Sequence, residues 1–185
     1  MAFIVAGGNV LSYAEAEDLR DKDQRLFEAN EFTLTNLPDT PPTLNDYIED
    51  LTTKATARIN QKIRASSQWR DYLGYVGATW DINNIPAFNP NLILARKSDF
   101  TDMCAYYTLK EYLLPRVADF GNPESAEVQK IEYYSVKFTD LFTELLSMMD
   151  WYDYDASGAL GDNDKLIRVS LTRRTRGRRN VARVR

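Results

Sequence analysis

The chain has 185 residues, with 23 Lys and Arg, 27 Asp and Glu, no His and one Cys, for a net charge of −4. That length fits one domain with a modest appendage, and eleven Tyr and eight Phe among ordinary apolar content supply a core. The lack of His excludes Ser-His-Asp, Cys-His and His-metal chemistry, and the lone Cys104 excludes an internal disulfide or a zinc site of paired thiolates.

Residues 1–11, MAFIVAGGNVL, are apolar but short, and no basic residue precedes the apolar run. They make a poor signal peptide, and they read as a strand or extended arm that docks on something, with Gly7-Gly8 as a flexible break. No apolar run approaches the roughly 20 residues of a membrane span. Ser12, with Glu15 three residues on, reads as a capping box that opens a helix over about 13–30. Its apolar positions are sparse (Tyr13, Ala16, Leu19, Leu26, Phe27), and charges alternate in sign over 21–25, which marks a solvated face.

Three prolines over 38–42 exclude helix and make an extended connector. Thr43 then caps the best-patterned helix, where Leu44, Tyr47, Ile48, Leu51, Ala55, Ile59 and Ile63 repeat at three and four residues. Lys54, Arg58, Lys62 and Arg64 lie toward its C-terminal half, where the helix dipole favours cations. Trp69, Tyr72 and Leu73 read as a short helix stopped by Gly74 and Gly77. Residues 78–91 carry two prolines and four Asn and read as a long loop, either partner-binding or packed down by Trp80, Ile82, Ile85 and Phe88.

A third long helix is expected from Asn91 or Ser98 to Leu114, with Phe100, Met103, Cys104, Tyr107, Lys110 or Glu111, and Leu114 marking its stripe, Cys104 on the buried face, and Pro115 as its end or kink. A fourth is expected from Pro123, capped by Asn122, to about Trp151. Val128, Ile131, Ser135, Phe138, Phe142, Leu145 and Met149 form its seam, and Tyr133, Tyr134, Leu141, Leu146 and Met148 widen its apolar face. The body over 12–152 therefore reads as all-α, a bundle of about four helices.

Residues 153–164, DYDASGALGDND, allow two readings. Asp153, Asp155, Ser157, Gly158, Leu160 and Asp164 fall on EF-hand loop positions, but the last ligand is Asp and the next segment, LIRVSL, has the pattern of a strand rather than a helix. A polar turn built on Asp, Ser and Gly is the reading adopted, with no metal and no cofactor.

The last segment, 165–185, holds one Lys and eight Arg with no acidic residue, a charge of +9, and leaves 14 basic against 27 acidic residues on 1–164. It opens with the strand pattern LIRVSLT, and Arg176-Gly177 offers a turn into a second strand. A ribbon this basic needs a partner, and guanidinium forks select phosphates or carboxylates. The residues expected to contact that partner are Arg168, Arg173, Arg174, Arg176, Arg178, Arg179, Arg183 and Arg185. No aromatic residue separates these arginines, which disfavours base stacking.

With DQRLFEAN at 23–30, LNDYIEDLTTKATARINQKIRASSQW at 44–69, the helix over 99–114 and the Arg-rich tail, the chain resembles the head-to-tail connector (adaptor or head-completion) proteins of tailed bacteriophages. The resemblance rests on helix order and character over most of the chain. It implies a non-enzymatic virion protein of the neck, made in the host cytoplasm. It further implies a ring, usually of twelve copies, whose C-terminal tails dock on a portal protein. Such a ring lines the channel for double-stranded DNA and presents a platform to the next neck or tail protein. The alternative is a soluble nucleic-acid-binding protein that grips phosphates with the Arg tail.

Overall fold

The computed structural model describes residues 3–28, 44–75, 88–148, 150–154 and 156–161. They are mostly helical, with about four main helices and a small N-terminal hairpin. The chain divides into two compact units, one of Met1–Asn60 with Arg96–Glu144 and the other of Gln61–Ala95 with Leu145–Arg185.

The first unit opens with strands β1 (Ile4–Ala6) and β2 (Asn9–Ser12), paired antiparallel with Val5 opposite Val10 and Ile4 opposite Ser12. The Gly pair expected as a flexible break is instead a two-residue turn, with φ of 58° at Gly7 and 80° at Gly8. Two successive positive φ values match the twist of a hairpin, and glycine reaches them without a Cβ penalty.

Tyr13 follows β2 and lies in a bend, not in a helix. Its ring is wholly buried against Phe3 and Phe100, its N–H donates to Thr56 Oγ1 at 3.1 Å, and its carbonyl accepts from Thr101 Oγ1 at 2.8 Å. These partners fix why the expected Ser12 cap does not form. The Ser12 hydroxyl turns to the Ala14 carbonyl, and helix α1 begins at Ala16 and ends at Lys22. Its cap is Glu15, whose N–H donates to Asp18 Oδ2 at 2.8 Å in a reciprocal capping box.

The helix expected over 13–30 is therefore two helices. Asp23 leaves helical geometry at φ −143° and ψ 72°, and α2 runs over Gln24–Glu28. The break is stabilised because Asp23 Oδ1 accepts the Leu26 N–H at 3.3 Å and pairs with Lys130 Nζ at 2.8 Å.

Helix α3 (Leu44–Ala65) matches expectation, with Tyr47, Ile48, Leu51, Ala55, Ile59 and Ile63 buried, joined by Thr52 and Thr56. Thr43 and the proline connector lie outside the described residues. Helix α5 (Lys97–Thr108) starts from Arg96, a left-handed residue at φ 55° whose guanidinium is held by Asp99 at 2.7 Å and Glu144 at 2.5 Å. It buries Phe100, Met103, Cys104 and Tyr107 as expected.

Pro115 does not end this run. A π-helical turn over Leu109–Leu113 leads into α6 (Leu114–Val117), and the Leu114 N–H reaches back to the Leu109 carbonyl. The wider turn lets the chain pass a proline whose ring would crowd the preceding carbonyls. Helix α7 spans Ala126–Met148, starting three residues after the expected Pro123. Asn122 accepts from Glu124 N–H in a turn, and Ser125 Oγ accepts the Val128 N–H at 3.4 Å. In this unit α7 buries Tyr134 and Phe138, while Tyr133 and Val136 face solvent.

The second unit contains α4 (Ser67–Tyr75), which continues through Gly74 because glycine only weakens a helix interior. Gly77 and loop residues 78–87 lie outside the described residues. Asn89 caps a short 3-10 turn over Pro90–Leu92, its side chain accepting the Asn91 N–H at 3.1 Å.

Candidate functional site

The eight tail arginines, Arg168 to Arg185, and the strand pattern at 166–172 all lie outside the described residues, as does Asp164. What the structure does describe is the seat from which the tail departs, in the second unit.

That seat is built on aromatic side chains. Trp69, Phe88, Trp151 and Tyr152 pack with ring centroids 5.1–6.0 Å apart, mostly edge to face, and Tyr154 adds to Tyr152 at 5.0 Å. The backbone locks the same residues. The Trp151 carbonyl accepts from Leu94 and Ala95, Asp153 N–H donates to the Leu92 carbonyl at 2.9 Å, and Ile93 bridges Tyr152.

Trp151 also explains why α7 stops at Met148 and not at Trp151 as expected. Its indole N–H donates at 2.8 Å to the Leu145 carbonyl, one of the carbonyls that a helix end leaves without an intrahelical partner. The sequence signal for this anchor was the string MDWYDYD, which reads as a helix end only once the indole's reach back by six residues is allowed.

The Asp-rich turn comes directly after. Asp153 is fully buried, and its carboxylate accepts the Ser157 N–H at 3.2 Å and the Gly158 N–H at 2.7 Å. Gly158 takes φ 85°, where a side chain would strain the backbone. Asp153 thus acts as the acceptor that shapes the turn. Among the described residues, no three His, Cys, Asp or Glu side chains converge as a metal site would require.

Elsewhere among the described residues, several titratable groups are shifted by their surroundings. Burial pushes the Cys104 thiol up to about 11, against hydrogen bonds with Thr56, Thr108 and Ser12 that pull it down, so it is not a thiolate at neutral pH. Tyr134 is raised by burial and by the Asp23 carboxylate, and its hydroxyl donates to the Lys22 carbonyl at 3.0 Å. Burial opposes the charge of Lys22, but the Asp102 carboxylate 2.9 Å away outweighs it and leaves the ammonium raised. Among the described residues, no helix is long and apolar enough to cross a membrane.

The arrangement holds the backbone around Trp151 and Asp153 and up to the turn at Ser157 and Gly158. The first unit offers, separately, a hairpin and the solvent face of α7. Compared with protein-family models, with curated proteins and with solved structures, the chain matches none.

Proposed function

We propose that this chain is a structural subunit of a tailed-bacteriophage head-to-tail connector, a virion protein that assembles as a ring, twelvefold in the family it resembles. In this reading the helices form a bundle, and the extended, partly β Arg tail anchors the ring to the portal protein. The ring's other face meets a downstream neck or tail protein, and its acidic walls let double-stranded DNA slide through the channel. The observation that carries the reading is the charge split, a +9 tail without one acidic residue on a body with 27 acidic against 14 basic residues. The hydrogen-bonded aromatic seat at Trp151 and Asp153, just before that segment in the sequence, supports it, because an anchor transmits its hold only from a held base.

The density of arginine also favours a second reading, a nucleic-acid-binding protein that grips phosphates with the tail. One deletion separates the two. A variant ending at Leu171 keeps the described body, so its far-ultraviolet circular dichroism should match the full chain. On the connector reading it no longer docks on portal, while the full chain shows weak affinity for free DNA. On the second reading the full chain shifts DNA with a steep salt slope and the variant does not. A truncated protein that still joined heads to tails would overturn the anchoring role.

A further inference from the structure

We propose that the outer edge of β1 receives residues 166–172 from a second copy of this chain as a third strand. The inference rests on the connector reading, and it assigns the tail two successive tasks. Residues 166–172 would join a neighbour, and 173–185 would remain for the portal.

The acceptor is the hairpin. Among the described residues its sheet has two strands only, and a two-stranded ribbon is marginal in water without further cover. Its turn makes Ala6 and Asn9 the closing pair and Val5 and Val10 the next, so the backbone amide and carbonyl of Val5 point outward from β1. Leu11 is an extra residue on β2, inserted between the pairs Val5–Val10 and Ile4–Ser12. Such a bulge disrupts the β2 side as a template and leaves β1 as the regular edge.

Natural edges are guarded by Lys, Pro or inward charges. Residues 3–12, FIVAGGNVLS, contain none of these. Val5 is 56% exposed and Leu11 43%, among the few large apolar side chains in the open.

The donor is the segment LIRVSLT. Ile167, Val169 and Leu171 alternate with Arg168, Ser170 and Thr172, and neither Gly nor Pro interrupts them. Added to β1, this strand would set its apolar side chains beside Val5 and complete its outward hydrogen bonds, the recognition mode of strand addition. Only four residues, 162–165, separate Gly161 from Leu166, a reach of about 17 Å. So short a tether calls for an acceptor held close and at a constant place, as a neighbour in a ring is. Donor and acceptor are different surfaces of one chain, so a copy can give to one neighbour and receive from another, and such head-to-tail contacts make a ring where the rotation between copies closes.

The test uses two full-length chains with different tags, one carrying Val5→Cys and the other Val169→Cys, mixed and then oxidised. Cys104 is buried and stays out of the reaction. Strand addition between copies predicts a mixed-tag disulfide product at least tenfold above that from Lys54→Cys, an exposed control, paired with Val169→Cys. It also predicts that a chain ending at Gly161 loses self-association in light scattering, while the chain ending at Leu171 keeps it. A mixed-tag yield no higher than the control overturns the proposal, as does self-association that survives truncation at Gly161. A Val5→Cys/Val169→Cys double variant that gives only an internally bridged monomer overturns it too. These outcomes are independent of portal docking. Cross-linking with docking that survives loss of 172–185 sinks the portal anchor alone, and docking lost without cross-linking sinks the strand exchange alone.

Discussion

Asp23 carries more of the first unit's geometry than its neighbours suggest. It is nearly buried, it caps α2 through Leu26, and it pairs with Lys130. Removing it leaves an amide and an ammonium without their acceptor. We expect Asp23→Ala to cost about 2–3 kcal/mol in urea unfolding, combining a lost cap with a broken part-buried pair. Lys130→Met should cost less, about 1 kcal/mol, because the lysine is a third exposed and the Asp23 carboxylate it leaves, only 4% exposed, keeps the Leu26 N–H and the nearby Tyr134 hydroxyl. Equal losses would place the weight on the ion pair instead of the cap. Cys104 makes a prediction about pH. Its thiol is raised from 9.0 to about 11 on folding, so the contribution is full below pH 9 and is lost as pH rises toward 11. That difference is worth roughly 2–3 kcal/mol. Melting temperatures between pH 8.5 and 11 should fall more steeply for the natural chain than for Cys104→Ala, and parallel curves would refute the assignment. The buried stripe that holds Cys104 was legible in the sequence. The role of Asp23 was not, since it sits in a run of alternating charge and its partner lies 107 residues away.

At the scale of elements, interiors were legible and ends were not. Six apolar positions of α3 from Tyr47 to Ile63 are buried as their spacing requires, because period alone fixes a helix face. Ends depend on side chains that choose between neighbouring amides and carbonyls. Ser12, Asn122 and Trp151 each had a plausible helical role, and each took a partner that competes with it. Of the two roles open to Pro115, end or kink, the end did not occur, because a π turn just before it carries the helix past, an option that no local pattern announces. The turn at Asp153 is the element that bears most directly on the tail. Its carboxylate is the acceptor for two backbone amides, and loss of a buried acceptor costs about 1–3 kcal/mol. Asp153→Ala should speed hydrogen exchange at Ser157 and Gly158 by at least tenfold and leave the helical signal unchanged. Asp153→Asn, which keeps one acceptor oxygen, should fall between. Unchanged protection at both amides would show that the turn is held by the aromatic cluster alone.

For the whole molecule the deciding property is where charge is placed and which side chain carries it. The position of the +9 segment was fully legible, and so was its contrast with the acidic remainder. Its partner was not, because a guanidinium serves phosphate and carboxylate alike. Replacing all eight tail arginines with lysine separates charge from geometry. The net charge stays at −4, and the phosphate-neutralising capacity that sets a salt slope is retained. What is lost is the planar fork that makes paired hydrogen bonds with a fixed group. If the tail anchors to a protein surface, the lysine chain should dock on portal at least tenfold more weakly, with its weak DNA affinity and salt slope little changed. If the tail is a phosphate arm, DNA binding should persist with the same slope and portal docking should be absent for both chains. Docking that is equally strong with lysine would mean that charge alone holds the tail, and the arginine-specific anchor would have to be abandoned.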